Sequence, residues 1–223
     1  MTNYREKICT NIPYTPDEEW LLKHLKCDRD SFVFRRSLEL FKQTQASFKP
    51  AYLIREYPIE RLDDFGMTIG GCEFNSRIAA RRLKGANMVF VYIATCGAEL
   101  SRVLAGIRDI IDYYLLDQLA YNAYLCAMSA LAADMEPNFD VARYRILCPG
   151  AVSDWSVVEV LKFFTLLDGL HQPLNLHVLD SGLIEPLKSS SGILYATDEE
   201  YESCALCLHP NCAERRADFD RDL

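Results

Sequence analysis

Apolar and polar positions along the chain alternate between two periods. Between residues 32 and 48 the apolar side chains Phe34, Leu38 and Phe41 return at close to one helical turn, and Lys49 and Pro50 stop the run. An earlier helix over about residues 16–25 is marked by Thr15 as cap, Pro16 in the first turn and Glu18 three residues after the cap. Residues 51–57 (AYLIREY) read as a strand ended by Pro58, and Gly66, Gly70 and Gly71 read as a loop. The clearest strand is residues 88–94 (MVFVYIA), apolar throughout and therefore expected to be buried on both faces. Residues 98–135 read as one long helix or two shorter ones. Their apolar positions spread so widely that the segment should be covered on most sides, with Glu136, Pro137 and Asn138 ending it.

Shorter elements fill the rest. Residues 75–83 (NSRIAARRL) predict a basic helix with Arg77, Arg81 and Arg82 towards solvent, a wet face first and an anion or partner contact second. Residues 143–147 (RYRIL) predict a strand before the sharp turn Cys148, Pro149, Gly150. Ser153 or Asp154 then caps a helix whose apolar side is Val157, Val160, Leu161, Phe164 and Leu167, closed by Gly169. Residues 175–179 alternate as a half-exposed strand carrying His177, and residues 192–196 form the last strand. Within the long helical segment Asp109 and Asp112 read as solvated. Asp117 lies among apolar neighbours and needs a partner if buried. Only one strand-to-helix crossover is visible and no glycine-rich nucleotide fingerprint is present, so the fold class expected is α+β rather than doubly wound. At that crossover Thr95, Cys96 and Gly97 form a turn whose amides could face an anion, although most such turns are only connections.

Composition narrows the function. In 223 residues, half of them apolar, a sizeable core can form without disulfides. The 24 basic residues against 32 acidic give a net charge of −8 with no basic block, which argues against nucleic acid or an anionic membrane as partner. The first twenty residues lack a signal-peptide core and no later run is apolar enough to span a bilayer, so a cytoplasmic location is expected. Nine cysteines, an odd number scattered along such a chain, point to reduced thiols with metal or redox chemistry.

Two stretches near the C-terminus carry candidate chemistry. Ser189, Ser190, Ser191 and Gly192 follow Pro186 and offer hydroxyls beside a residue that allows close backbone approach, as in a ligand-lining turn or simply a turn into a strand. Cys204, Cys207 and Cys212, spaced C-x2-C-x4-C with His209 between the last two, can converge on zinc or an iron–sulfur cluster. A fourth ligand would be His209, Cys148, Cys96 or an outside group. The competing reading is a set of reduced surface or packed thiols.

Three segments resemble, in order, the activation domain of cobalamin-dependent methionine synthase and the short free-standing proteins similar to it: FNSRIAARRLKGANMVFVYIATCG, PGAVSDWSVVEVLKFFTLL and VLDSGLIEPLKSSSGILY. Together they cover roughly residues 74–201, leaving a segment 1–73 before and a cysteine-rich tail 202–223 after, within one domain overall. The resemblance implies a curved antiparallel sheet flanked by helices that binds S-adenosylmethionine over a cobalamin carried by a partner. It implies that Arg145, Pro149, Gly150, Ser189, Ser191, Gly192 and Tyr195 bind the cofactor, Tyr195 standing near an aromatic pair of the family, and that Trp155 or the serine turn forms the docking face. The family motif places Arg four residues before the Gly and Tyr after it. Here Ile146 and Ala151 occupy those positions and Arg145 is one place out of register.

Three functions compete on these grounds. The first is an accessory or reactivation protein for cobalamin-dependent methyl transfer, working with a corrinoid-binding methyltransferase subunit and an electron donor protein. The second is a metal- or iron–sulfur-binding interaction module on the same scaffold. The weakest is an independent S-adenosylmethionine-dependent methyltransferase, since the glycine-rich loop of those enzymes is missing.

Overall fold

The computed structural model describes residues 4–10, 12–212 and 215–220. Its centre is the strand β5 (Met88–Thr95), which is apolar on both faces because both are covered. On one side β5 pairs antiparallel with β2 (Ala51–Leu62) and on the other with β9 (Ser189–Ala196). The sheet continues outward through β3 (Gly66–Ile69) and β4 (Cys72–Asn75) beyond β2, and through β6 (Tyr144–Leu147) beyond β9. A short strand β1 (Glu6–Cys9) joins β2, and every pairing in the seven-stranded sheet is antiparallel. The sheet runs across the 73/74 division, since β2 and β5 are neighbours. A separate hairpin, β7 (His177–Val178) with β8 (Ile184–Glu185), precedes β9.

Helices cover both faces. Strand alternation sends Tyr52, Ile54, Phe90, Tyr92 and Leu194 to one side, where they meet Ala127, Leu131, Met135 and Phe139 of α5 (Ile110–Phe139). Leu53, Val91, Ile93 and Ile193 point the other way, onto Phe163 and Phe164 of α6 (Val160–Leu166) and onto α3 (Arg77–Arg82) through Ala79. The first half of α5 packs through Leu115, Leu116, Leu119 and Ala120 against α1 (Glu18–Leu25), α2 (Phe32–Thr44) and α4 (Glu99–Gly106). One helix thus serves the sheet with one half and a helical layer with the other, which accounts for its broad apolar surface.

Several boundaries differ from the sequence reading. Asp17, not Thr15, caps α1, accepting from Trp20 N at 3.0 Å. Strand β2 passes through Pro58, which stands at the last pair with β5, so its missing N–H forfeits at most one ladder bond. The glycine stretch read as a loop is the β3–β4 hairpin. Gly66 is required there because a Cβ would lie 2.0 Å from Phe74 O. The 98–135 segment is two helices. Asp109 caps the second by accepting from Ile111 N and Asp112 N, both at 2.9 Å, while Asp112 pairs with Arg36 at 2.6 Å, so neither aspartate is merely solvated. Helix α5 runs past Pro137 and ends at Asp140, whose φ of 59° closes the last turn.

Candidate functional site

A cavity of about 420 Å³ opens between the β5–α4 turn, α4, the first half of α5 and the segment leading into β9. Its wall carries Arg102 from α4, Asp117 from α5, Glu185 from the end of β8 and Lys188 from the β8–β9 connection. Lys188 Nζ lies 3.0 Å from Asp117 Oδ2, and Gln118 Nε2 donates to the same oxygen at 3.1 Å. This is the partner that Asp117 needs among its apolar neighbours. The side chains of the pair remain 22% and 29% exposed, so a ligand bearing both charges can exchange into it. Apolar Leu100, Leu104 and Leu187 line the rest, the mixture typical of a small-molecule site.

The backbone around the cavity is tied down. Cys96 N donates to Lys188 O at 3.0 Å and Gly97 N to Thr95 Oγ1 at 3.1 Å. Two amides of the β5–α4 turn are thereby spent inside the protein, which removes the anion site that the turn alone offered. Gly97, at φ 108°, is demanded by the fit, since a Cβ would meet Lys49 N at 2.7 Å.

From Lys188 a polar seam leads inward between α5 and the sheet. Lys188 Nζ stands 5.9 Å from the Tyr121 ring, which stacks on Tyr124 at 5.9 Å. The Tyr124 hydroxyl shares a 2.9 Å hydrogen bond with Ser190 Oγ, which also meets the Tyr92 hydroxyl at 3.3 Å; Tyr92 in turn lies 3.3 Å from Cys148 Sγ. Burial pushes Tyr92 well above the usual phenol range, Tyr124 up to about 12 and Cys148 up to about 11. Cys96, in the cavity wall, is pushed by burial up to about 12. These groups are neutral at physiological pH. They hydrogen-bond and position, and are not poised as bases or thiolate nucleophiles.

None of the seven cofactor-binding residues implied by the resemblance lines the 420 Å³ cavity, although Ser189 directly follows Lys188. Ser189 Oγ donates to Thr95 Oγ1 at 2.8 Å, and Ser191 Oγ to Tyr92 O at 2.9 Å inside the sheet. Gly192 faces the opposite side, where a Cβ would stand 2.5 Å from Leu147 O and 2.8 Å from Cys148 Sγ. The serines are thus strand residues rather than an open turn. Arg145 and Tyr195 are register partners. The Tyr195 hydroxyl meets that of Tyr201 at 2.7 Å, and the Tyr201 ring lies 5.0 Å from Arg82 and 5.6 Å from Arg145. Pro149 is buried, and Gly150, at φ 79°, donates to Trp155 O at 2.7 Å. Trp155 is 2% exposed and packs on Phe74 and Phe163, so it is a core residue and not a docking surface.

In the tail, Cys204 lies in the turn Ser203–Leu206, Cys207 bridges antiparallel to Val152, and His209 and Cys212 are exposed. Among the described residues no three His, Cys, Asp or Glu side chains are gathered where they could hold a metal ion. The thiols and His209 as placed do not make a zinc or iron–sulfur donor set. The tail is joined to the body by Ser203 Oγ donating to Ile146 O at 3.1 Å and Ser153 N donating to Leu206 O at 3.1 Å, and within it Arg215 donates to His209 O at 2.8 Å.

Sequence reading found Asp117 but missed Arg102, Glu185 and Lys188. The signal available was a lysine immediately before the serines and an aspartate among apolar neighbours lacking a nearby base. Among the described residues no helix is long and apolar enough to cross a membrane. No protein-family model matches the chain, and no curated protein matches it. Among solved structures the chain is similar to the crystal structure of the MetH reactivation domain bound to AdoHcy, with a TM-score of 0.62 and 14% identity, covering 90% of this chain and 80% of that one. At that identity the likeness is one of fold: an antiparallel sheet flanked by helices, arranged as in the MetH reactivation domain.

Proposed function

We propose that this chain is an accessory protein of cobalamin-dependent methyl transfer that holds S-adenosylmethionine in the 420 Å³ cavity and presents it to a corrinoid carried by a partner. The observation that carries this reading is the set of opposed charges on the cavity wall, Asp117 and Glu185 against Arg102 and Lys188, on a scaffold similar to a domain crystallised with AdoHcy. An amino-acid moiety needs both signs within one small site. The carboxylates suit its ammonium and the two cations its carboxylate, while the apolar wall suits the rest of the ligand. Bound there, S-adenosylmethionine supplies a methyl group, and an electron donor protein supplies one electron, to restore methylcobalamin on the partner.

The protein's own share is binding and orientation. The neutral network Tyr124, Ser190, Tyr92 and Cys148 offers no general base at physiological pH, and methyl transfer to a reduced cobalt centre requires none. The cytoplasm is the compartment proposed for such a partnership. The test is anaerobic mixing of this protein with a cobalamin-loaded methyltransferase subunit, reductant and S-adenosylmethionine, followed in the visible spectrum. Decay of the Co(II) bands only in the complete mixture supports the proposal. An unchanged spectrum, with no association of the two proteins, overturns it.

A further inference from the structure

The first turn of α5 leaves Ile110, Ile111, Tyr113 and Tyr114 open to solvent, Ile110 at 82% and the other three at a little under half. Phe32, the first residue of α2, is 63% exposed. Arg36 Nη2 stands 2.6 Å from Asp112 Oδ2, so the opening turns of α2 and α5 lie side by side and the five side chains share one end of the helical layer. We infer that this face pairs with the same face of a second copy of the chain.

The turns that carry the face are firmly seated. Ser31 Oγ caps α2 by accepting from Phe34 N at 3.1 Å, and Asp109 caps α5. Phe34, Leu115 and Leu116 are buried between these helices, so the outward side chains are a surplus that the core does not use. The hydroxyls of Tyr113 and Tyr114 have no hydrogen-bond partner among the described residues, and such rings with a wet tip are the ones that association surfaces favour. At about 200 Å² for a fully exposed large side chain, the five leave roughly 550 Å² open in one place. That is the upper end of the about 300–600 Å² of a monomer's largest apolar patch. It is also most of the about 800 Å² that each partner brings to a stable interface, the remainder being the polar rim.

The rim selects the partner. Of the charges within three residues of the face, Arg29 is taken by Glu18 and Glu19, Asp112 by Arg36 and Asp117 by Lys188. Asp30 and Arg35 on the α2 side and Arg108 on the α5 side have no ion-pair partner among the described residues, and all three are exposed. Asp109 is exposed as well, although it caps its helix. A rim of one sign would call for a partner of the other. This rim carries both signs on both sides, and a two-fold axis between α2 and α5 brings the α2 side of one copy onto the α5 side of the other. Asp30 then meets Arg108 of the second copy and Arg35 meets its Asp109, each pair being made twice. Tyr113 also lines the 420 Å³ cavity, so the pairing sits beside its mouth, but it does not depend on what the cavity binds.

The test is sedimentation equilibrium of the whole chain without ligand, from about 1 µM to about 200 µM. The mass of two chains should appear with a dissociation constant of about 10 µM. Ile110→Glu should remain a single chain throughout. That substitution places a carboxylate in the first turn of a helix, where it favours folding, so lost pairing there is not lost structure. Arg108→Glu and Asp30→Arg should each weaken pairing by about tenfold or more, and the doubly reversed variant should regain most of it. A single chain at every concentration, a dimer untouched by Ile110→Glu, or no recovery in the doubly reversed variant would each overturn the inference. If the unmodified protein is a single chain and Ile110→Glu instead abolishes association with a cobalamin-loaded methyltransferase subunit, the face belongs to that partner and the inference is likewise overturned.

Discussion

Lys188 Nζ stands 3.0 Å from Asp117 Oδ2, tying the residue before the β9 serines to the inner wall of α5. Both side chains keep partial access to solvent, so the pair is worth no more than about 1 kcal/mol to folding. Its larger role is to hold two opposite charges at a cavity. Asp117→Asn should therefore weaken AdoHcy binding by about tenfold or more, the scale of one charge-assisted contact. Melting temperature should fall by only about 2–4 °C. Calorimetric titration and a thermal melt of the same preparation check both halves.

Gly192 is held by backbone. A Cβ there would stand 2.5 Å from Leu147 O and 2.8 Å from Cys148 Sγ, and the carbonyl is part of the β6–β9 ladder. Gly192→Ala should cost about 1–3 kcal/mol through overpacking, read as a lower urea midpoint. Gly106, at the end of α4 with nothing within 4 Å of its Cβ position, serves as the contrast. Gly106→Ala should leave the midpoint unchanged or raised.

Stability should fall on the alkaline side. Burial holds Cys148 protonated up to about 11, and Cys96 and Tyr124 up to about 12. In the unfolded chain thiols ionise near 8.5 and phenols near 10. Between those values and the folded ones the native state binds more protons than the unfolded state, so stability declines as pH rises. The contribution is complete below about pH 8.5 and is lost progressively towards about pH 11–12. Urea midpoints measured from pH 7 to pH 11 should drop from about pH 9 upward, and Cys148→Ala should lessen the drop.

Much of the fold was legible because burial on both faces leaves a plain mark. The β5 run has no polar residue until its end, and α5 is apolar around its circumference because its two halves face different layers. The need of Asp117 for a partner was legible too, though not that Lys188 supplies it. What escaped reading had a local reason. The strand β1 is four residues long with charged Glu6 and Lys7, too short to show a period. The serines of β9 look like a turn because their hydroxyls are polar, yet Thr95, Tyr92 and Tyr124 satisfy them within the fold. The cavity escaped because its charges come from α4, α5, the end of β8 and the β8–β9 connection, and only the tertiary fold brings these together.

The tail offers a further check. Ser203, Ser153 and Arg215 hold it through hydrogen bonds at 2.8–3.2 Å, without any gathered donor set among the described residues. A Cys204→Ser, Cys207→Ser variant should retain stability to within about 1 kcal/mol, since both thiols are only half-buried and the substitution nearly conserves their size. Chelator should leave the melting temperature of the unmodified protein in place. A melt lowered by several degrees in both experiments would instead restore a metal to the tail.

The central claim rests on the 420 Å³ cavity, and calorimetric titration of the anaerobically purified chain with S-adenosylmethionine, beside AdoHcy, tests it most directly. The account predicts micromolar binding of both, near 8 kcal/mol, lost by about tenfold or more in Asp117→Asn and again in Arg102→Ala. Absence of binding by the unmodified protein, or full affinity in both variants, would contradict it.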